Sequence, residues 1–216
     1  MIIAIDGPSG SGKSSTAKQV AKALGFVYLD TGAMYRAAAV GVLRSGIDPE
    51  DEISVAEAVK TMDIGFRGDK VLLSGEDISV EIRKDAANKA VTPVSANPLV
   101  RELMVEKQRA YAKDHNVVME GRDIGTVVFP DADRKFYLVA DLDVRAKRRL
   151  AEAPEELSFQ SVKADLQRRD ERDSSRAHSP LRKADDAVEI DTSRMTFAEQ
   201  VDKILSIIKE PKHGGK

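Results

Sequence analysis

Residues 7–14 read Gly-Pro-Ser-Gly-Ser-Gly-Lys-Ser, which matches the phosphate-loop pattern G-x-x-x-x-G-K-[ST] at every fixed position. An apolar run at residues 2–5 precedes the loop and predicts a strand. After Ser14, apolar side chains recur with helical spacing as far as Leu24, and Gly25 closes the pattern. Because the loop lies between a strand and a helix, we interpret it as a nucleoside-triphosphate site and not as an ordinary Gly-rich turn.

The spacing of the loop has a physical reason. Glycines let successive backbone N–H groups turn toward one anion, and the following helix adds partial positive charge at its N-terminus. We expect Lys13 to reach the β- and γ-phosphates and the Ser14 hydroxyl to hold Mg²⁺. The predicted ATP-binding residues of this segment are Gly7, Pro8, Ser9, Gly10, Ser11, Gly12, Lys13, Ser14 and Ser15.

Composition favours one α/β domain. The chain has 216 residues, enough for a domain with an inserted subdomain, and its hydrophobic content of 42% supports a core. A net charge of −2 gives no general attraction to nucleic acid or anionic lipid, and the absence of cysteine excludes disulfides and thiolate metal sites. No apolar run is long enough to span a membrane, and the first strand begins at once, without a signal peptide. We therefore expect a cytoplasmic monomer with no nucleic-acid or membrane partner.

Strand and helix patterns alternate along the chain, which predicts a five-stranded parallel sheet with helices on both faces, the phosphate-loop NTPase fold. The strands are expected at residues 2–6, 26–29, 117–120, 135–140 and 187–190. Three helix starts are predicted from capping patterns, at Ser54 with Glu57, at Asn97 before Pro98, and at Thr196 with Glu199.

Residues 62–95 interrupt this alternation. Short strand patterns at 64–66, 71–73 and 77–79, separated by Gly-containing turns, predict a small antiparallel sheet. We interpret it as an insertion that binds a second substrate and closes over the phosphate loop. The core of the single domain would then comprise residues 1–61, 96–150 and 177–210.

Two polar clusters follow predicted strands, at the edge where parallel sheets place their ligands. Residues 30–36, Asp-Thr-Gly-Ala-Met-Tyr-Arg, follow the second strand. With Thr31 as the helix cap, Tyr35 and Arg36 would lie one turn into the next helix, and Arg36 is interpreted as a phosphate ligand instead of a solvated arginine. Residues 120–126, Glu-Gly-Arg-Asp-Ile-Gly-Thr, follow the third strand, and their glycines allow close approach to a ligand; the alternative is a turn with an Arg–Asp ion pair.

Charged side chains are concentrated in two predicted helices joined by a short polar connector at residues 153–158. Those of the first helix, expected early in it, are Arg145, Arg148 and Arg149. Those that share one face of the second are Arg169, Asp173 and Arg176. Such helices are usually solvated surfaces. Beside a triphosphate, however, guanidinium groups match phosphoryl oxygens, so residues 151–176 are predicted to form a lid, with Arg145 and Arg148 on ATP.

The motifs at residues 7–14 and 30–36 are followed by Gly-Arg-Asp-Ile-Gly-Thr-Val-Val-Phe-Pro-Asp at 121–131 and Arg-Arg-Asp-Glu-Arg-Asp-Ser-Ser-Arg at 168–176. In this order they resemble the bacterial cytidylate kinase family. The likeness extends nearly end to end and includes the inserted sheet. It implies transfer of the γ-phosphoryl group of ATP to CMP or dCMP, with Mg²⁺ as the cofactor and nucleotides as the only partners.

The resemblance also implies roles for individual residues. The catalytic residues would be Lys13, Arg36, Arg122 and Arg169. The CMP-binding residues would be Thr31, Tyr35, Arg36, Thr92, Arg101, Arg122, Asp123, Arg169, Asp173 and Arg176. Asp173 would meet the sugar hydroxyls of the acceptor, whereas Thr31 and Thr92 keep the hydroxyl of the serine that family members often have there. For Asp30 two interpretations remain, a water-mediated Mg²⁺ contact or a structural role at the strand end.

Two other functions stay open. One is a kinase of the same architecture that acts on AMP, shikimate or dephospho-coenzyme A, although the 121–131 motif and the inserted sheet count against it. The other is a GTP-operated switch, but residues 88–91, Asn-Lys-Ala-Val, lack the acid of the guanine-binding motif. The histidines at positions 115, 178 and 213 form no cluster in the sequence, so no histidine metal site or general base is expected.

Overall fold

The structure is a computed structural model that describes residues 1–152 and 157–210. Most of the predicted lid connector, residues 153–156, and the tail from residue 211 lie outside this described part. The chain divides into two compact units. Unit 1 comprises Met1–Leu29 and the chain from Asp114 onward, and unit 2 is Asp30–Lys113. The predicted insertion at 62–95 is therefore part of a larger compact unit.

Regular elements alternate along the described chain. Residues 1–152 and 157–210 form, in order, β1 (Ile2–Asp6), α1 (Lys13–Leu24), β2 (Val27–Asp30), α2 (Thr31–Arg44), α3 (Glu52–Thr61), β3 (Ile64–Arg67), β4 (Lys70–Leu73), β5 (Glu76–Asp77), α4 (Asp85–Ala96), α5 (Pro98–Ala112), β6 (Val117–Gly121), β7 (Arg134–Val139), α6 (Leu142–Ala151), α7 (Phe159–Ser175), β8 (Val188–Asp191) and α8 (Phe197–Lys209). A 3-10 turn at Glu81–Arg83 and a π-helical turn at Ile124–Val128 complete the list.

Unit 1 is built on a parallel sheet of five strands in the order β2-β6-β1-β7-β8. Each predicted strand is present, with bounds that differ by at most one residue from the prediction. Side chains on both faces are buried, since Ile3 and Ile5 point one way and Ala4 the other, and all three are 0% exposed. Burial on both faces is typical of parallel sheets and explains why their strands appear as continuous apolar runs.

Helices α1 and α8 cover one face of this sheet. Val20 of α1 and Ile204 of α8 belong to one buried cluster with Ile5 and Phe136 of the strands. The predicted ends of both helices are confirmed, because Gly25 adopts a left-handed conformation after α1 and Thr196 forms a capping box with Glu199 before α8. The phosphate loop thus lies between a central strand and a well-anchored helix.

The order of the strands determines which segments meet at the carboxyl edge of the sheet. β1 is paired with both β6 and β7, and Asp6 lies opposite Gly121 on one side and Tyr137 on the other. The phosphate loop follows β1 and the predicted 120–126 cluster follows β6, so two of the predicted ligand-binding segments are adjacent within unit 1.

Unit 2 contains α2–α5 and the separate three-stranded antiparallel sheet β3-β4-β5. Val40 of α2 packs in one buried cluster with Val71 and Leu73 of β4 and with Ile78. The third strand was predicted at 77–79, but it is Glu76–Asp77. The difference arises because Asp77 accepts a hydrogen bond from the backbone N–H of Ser79 at 3.0 Å, which turns the chain away after Asp77.

One of the three helix-start predictions is wrong. Asn97 caps α5 as expected, its side chain accepting from the N–H groups of Leu99 and Val100. The cap of α3, however, is Asp51 and not Ser54. The carboxylate of Asp51 accepts both the backbone N–H and the hydroxyl of Ser54, so the helix begins earlier than the Ser54–Glu57 pattern predicts.

Candidate active site

The phosphate loop has the backbone that its glycines allow. Gly10 and Gly12 have φ values of 76° and 90°, in the left-handed region. At Gly7 a Cβ atom would lie 2.2 Å from the carbonyl oxygen of Leu138, so no larger residue fits without moving strand β7. The start of the loop is therefore packed closely against strand β7. Ser14 and Ser15, at its end, lie exposed in the first turn of α1.

Lys13 is held by groups at the carboxyl edge of the sheet. Its Nζ donates to the carbonyl of Pro8 at 3.3 Å and lies 3.9 Å from Oε2 of Glu120. Glu120 is 3% exposed and accepts a hydrogen bond of 2.8 Å from the hydroxyl of Tyr28. The ammonium group predicted to meet the β- and γ-phosphates thus lies beside a buried carboxylate at the end of β6.

The two arginines assigned to ATP contact backbone carbonyl groups of the phosphate loop. Nη1 of Arg145 donates to the carbonyl of Ser9 at 3.0 Å, and Nη1 of Arg148 lies 3.4 Å from the carbonyl of Ser11. Arg148 also donates to the carbonyl of Thr192 at 2.6 Å, and burial lowers its pKa. One expectation is wrong: Arg148 and Arg149 are in the last turn of α6, not early in it, because the helix has only 10 residues.

Helix α7 contributes a carboxylate to the same loop. Asp170 accepts the backbone N–H of Ser9 at 3.4 Å and pairs with Nη1 of Arg145 at 2.5 Å. Both of its partners belong to the predicted ATP site, and Asp170 was not among the predicted residues. Helix α7, which was predicted to be part of a lid, thus contacts the phosphate loop directly through Asp170.

Three of the acceptor residues predicted in unit 1, Arg122, Asp173 and Arg176, form an ion cluster. Asp173 is 3% exposed and accepts Nε of Arg122 at 2.8 Å and Nη2 of Arg176 at 2.5 Å, one on each carboxylate oxygen. Burial acts to raise the pKa of Asp173, but the charges of Arg122, Arg176 and Arg169 hold it below its ordinary value. Arg176 follows the end of α7, so the shared helix face predicted for it is wrong, although it still meets Asp173.

The acceptor residues predicted in unit 2 begin at α2. Its cap is Asp30 and not Thr31: Oδ1 of Asp30 accepts the N–H of Ala33 at 2.8 Å, while Oδ2 lies 3.2 Å from Nη2 of Arg36. Thr31 is the first helical residue and is 4% exposed. Asp30 therefore caps α2 and pairs with Arg36, whereas a water-mediated contact with Mg²⁺ stays a prediction.

Of the other predicted residues of unit 2, Arg101 packs on the ring of Tyr35. The guanidinium carbon of Arg101 lies 5.4 Å from the centre of the Tyr35 ring, and both residues are buried. Nη1 of Arg101 also donates to the carbonyl of Ser95 at 3.0 Å. Thr92 is half-buried in α4, and its carbonyl accepts the hydroxyl of Ser95 at 3.3 Å. Arg101 and Tyr35 are thus in contact, while Thr92 and Arg101 both hydrogen-bond to Ser95; a role of these residues in CMP binding stays a prediction.

The donor groups of unit 1 fit a phosphate-bound Mg²⁺. In residues 1–152 and 157–210, no three histidine, aspartate or glutamate side chains form a cluster that could hold a metal ion. Mg²⁺ commonly takes one or two protein oxygens and completes its shell with water and substrate phosphates. The exposed hydroxyl of Ser14, at the mouth of the loop, is an oxygen ligand of this kind.

Comparison with known sequences shows which protein family the chain belongs to. A sequence profile described as cytidylate kinase matches residues 3–210. The chain belongs to the cytidylate kinase family. Curated cytidylate kinases from Caldanaerobacter subterraneus subsp. tengcongensis and Rhodococcus opacus are 48% and 51% identical to it, covering 98% and 97% of this chain and 96% and 95% of their own lengths. The cytidylate kinase of Clostridium botulinum is 46% identical and covers 96% of this chain and 97% of its own length.

Solved structures support the fold of this cytidylate kinase family member. An uncharacterised protein from Eubacterium ventriosum superposes with a TM-score of 0.55 at 17% identity, covering 96% of this chain and 97% of its own. Shikimate kinase from Bacteroides thetaiotaomicron gives 0.50 at 14% identity, covering 97% and 99%. Identities this low are informative about the fold alone.

Helices of the described part are too short or too polar to cross a lipid bilayer.

Three carboxylates around the phosphate loop were not assigned as site residues from the sequence, although Glu120 belongs to the polar cluster predicted at residues 120–126. Asp6 and Glu120 are the acids at the ends of β1 and β6, and position after a buried strand was the available signal for both. Asp170 had no such signal, because its contact with Ser9 spans 161 residues of sequence. Acids in an arginine-rich helix usually belong to surface ion pairs.

Proposed function

We propose that this chain transfers the γ-phosphoryl group of ATP to CMP or dCMP. The observation that carries the proposal is the Arg122–Asp173–Arg176 cluster, which belongs to the unit that holds the phosphate loop, with Arg122 directly after the strand beside β1. The names of the curated relatives point to the same reaction.

On the donor side, the chain supplies positive groups for a triphosphate. The N–H groups of the loop and the N-terminus of α1 would bind the phosphate oxygens, and Lys13 would move from Glu120 to the β- and γ-phosphates. Arg145 donates a hydrogen bond to the carbonyl of Ser9 in the loop, and its guanidinium group would add to the positive charge around the phosphates. These groups would neutralise the charge that develops during transfer.

The proposed cofactor is Mg²⁺, which the Ser14 hydroxyl would hold. When bound, Mg²⁺ supplies charge neutralisation at the transferring phosphoryl group. This chain's own residues orient the reactants: the loop fixes the donor, and the arginines fix the acceptor.

On the acceptor side, we assign the monophosphate to Tyr35, Arg36, Arg122 and Arg169, and the cytosine to Thr92, Arg101, Asp123 and Arg176. Guanidinium groups bind phosphate through paired hydrogen bonds, and three of the four phosphate ligands are arginines. The attacking atom is already an anionic phosphate oxygen, so no general base is needed. Catalysis would then rest on positioning in line and on charge neutralisation.

Asp173 would have two tasks in this arrangement. Both of its oxygens already accept from arginines, which fixes Arg122 and Arg176 before the substrate arrives. A carboxylate oxygen can accept a second hydrogen bond, so contact with the sugar hydroxyl of the acceptor remains compatible with these pairs.

The test is an acceptor panel. ADP release from ATP and Mg²⁺ is measured with CMP, dCMP, UMP, AMP and GMP separately. We expect strong turnover with CMP and dCMP. Turnover with another nucleotide alone would keep the kinase and discard the cytosine assignments, whereas silence with all five would favour a non-nucleotide acceptor.

The remaining expectations concern the oligomeric state, the location and partners of the protein, and the movement of its lid. A monomeric, cytoplasmic enzyme that binds neither nucleic acid nor membrane stays a prediction, as does closure of the lid at residues 151–176. Sedimentation of the purified protein with and without ATP and CMP tests the monomer directly, since a second copy would double the mass.

A further inference from the structure

A buried carboxylate joins the phosphate-loop strand to the segment that carries two of the proposed acceptor ligands. Asp6 is the last residue of β1 and is 4% exposed. Its Oδ1 accepts the backbone N–H of Ile124 at 2.9 Å, and its Oδ2 accepts that of Gly125 at 2.8 Å. Both oxygens are therefore used by consecutive amides at the start of the π-helical turn.

These two amides come directly after Arg122 and Asp123. The turn is also closed on its own backbone, since the carbonyl of Asp123 accepts from Val127 at 2.9 Å. Because a peptide plane is rigid, fixing the N–H of Ile124 also fixes the carbonyl of Asp123. The direction in which the side chains of Arg122 and Asp123 leave the backbone thus depends on where Asp6 holds the turn.

Little space is left for a side chain at position 125. A Cβ atom on Gly125 would lie 3.1 Å from Cδ of Lys135 and 3.4 Å from Oδ2 of Asp6. The stem of Lys135 is fixed in turn, because its Nζ donates to the carbonyl of Pro130 and pairs with Asp186 at 2.8 Å. A side chain at position 125 would therefore press on Lys135 and strain the turn that Asp6 holds.

Ionised Asp6 is costly to bury, which favours a role beyond packing. Burial raises the pKa of Asp6 to about 7, while the two backbone hydrogen bonds act to lower it. The charged groups that act on it are Asp123, which raises the pKa, and Arg122, which lowers it, and the phenol of Tyr137 on β7 also interacts with it. An apolar residue at this position would avoid the cost but would leave two buried N–H groups without an acceptor.

We propose that Asp6 is a positioning residue for the acceptor: it holds the backbone of Ile124 and Gly125 and so fixes Arg122 and Asp123 in their binding geometry. The inference rests on the proposed function, which supplies the acceptor. Asp6 touches neither nucleotide in this proposal and acts through the turn. Its effect should therefore appear in the use of the acceptor and not in the use of ATP.

The test compares Asp6→Asn with the wild-type protein at a pH above 7, where Asp6 is ionised. Asparagine keeps the shape but replaces one acceptor by an N–H₂ group that faces an amide donor. We expect the KM for CMP to rise about tenfold, since one charged hydrogen bond is lost, while the KM for ATP stays within about twofold. Hydrogen exchange at the amides of Ile124 and Gly125 should become faster in the variant.

Asp133→Asn is the matched control. Oδ2 of Asp133 accepts the backbone N–H of Ile2 at 2.7 Å, which is the same kind of bond at the opposite end of β1. We expect it to leave the KM for CMP unchanged, even if it lowers stability. If Asp6→Asn does not fold, Asp6→Glu gives the same comparison, because it keeps both acceptor oxygens but carries them on one more methylene group, away from the two amides.

Several outcomes would overturn the proposal. They are an unchanged KM for CMP in the Asp6 variant, an equal rise in the KM for ATP, or an equal rise in the KM for CMP in Asp133→Asn. If the wild-type protein does not phosphorylate CMP, the proposed function fails separately. The same split of KM values, measured with the acceptor that it does use, then decides the role of Asp6.

Discussion

Two buried carboxylates of unit 1 have pKa values shifted in opposite directions. Burial raises the pKa of Asp6 to about 7, because its hydrogen-bond donors are neutral amides. Asp173 is buried as well, but the charges of Arg122 and Arg176 hold its pKa below the ordinary range. The difference follows from the charge of the partners and not from the depth of burial.

The shift at Asp6 predicts a pH dependence of stability. The unfolded chain loses this proton near 3.8 and the folded chain near 7, so the folded state binds more protons between these values. The contribution of Asp6 to the free energy of unfolding should therefore fall as the pH rises from about 4 to 7, and stay constant above it. Urea unfolding across this range, compared with Asp6→Asn, isolates the effect. Parallel curves for the two proteins would contradict it.

Removing the negative charge of Asp173 should impair use of the acceptor. Asp173→Asn retains one acceptor oxygen for two guanidinium groups, so Arg122 or Arg176 loses its charged partner. We expect the KM for CMP to rise roughly tenfold and the ratio of CMP to dCMP turnover to change. The control is Asp165→Asn, which breaks an exposed pair with Arg168 on the same helix. Equal effects of the two variants would remove Asp173 from the site.

Lys13→Ala should reduce turnover most severely. Its ammonium group would otherwise neutralise charge on the transferring phosphoryl group, and loss of one such stabiliser costs roughly 100-fold or more in kcat. Lys22→Ala, an exposed lysine in the last turn of the same helix, serves as the control and should leave kcat unchanged. ADP release at saturating CMP measures both. Wild-type turnover in Lys13→Ala would contradict the assignment of the loop.

At the scale of elements, α8 supports the phosphate loop through α1. Gln200 of α8 accepts the hydroxyl of Thr16 at 3.1 Å, and a Cβ atom on Gly12 would lie 3.0 Å from the same amide oxygen. The start of α8 is fixed by the Thr196 capping box, four residues before Gln200. The stability of this cap therefore bears on the geometry of a loop that is distant in sequence.

The cap leads to a prediction for α8. Thr196→Ala removes the hydroxyl that accepts the N–H of Glu199 and should lower the free energy of unfolding by about 1 kcal/mol. Thr196→Ser keeps the hydroxyl and should stay close to the wild type. Urea unfolding followed by circular dichroism measures all three proteins. A serine variant as unstable as the alanine variant would show that packing of the Thr196 methyl group, and not the cap, stabilises the start of α8.

At the scale of the whole molecule, the sequence predicts elements better than contacts. The five strands of the parallel sheet were located to within one residue, because strands buried on both faces leave continuous apolar runs. The start of α3 was misplaced, because Asp51 accepts from Ser54 and thereby competes with the predicted cap. The contacts of Asp6 and Glu120 depend on β1 lying beside β6, and no local pattern specifies the order of strands.

The same strand order has a consequence for synthesis on the ribosome. The neighbours of β1 are β6 and β7, so Ile3 and Ile5 leave the ribosome more than 100 residues before any strand that can pair with them. In the meantime Asp30–Lys113, which has its own buried cluster and its own sheet, is complete. We expect nascent chains just long enough for Lys113 to have left the exit tunnel to resist protease within this unit and to be cleaved in β1. The first strand made would be among the last to become protected, and until then its apolar edge is exposed to chaperones and to other chains.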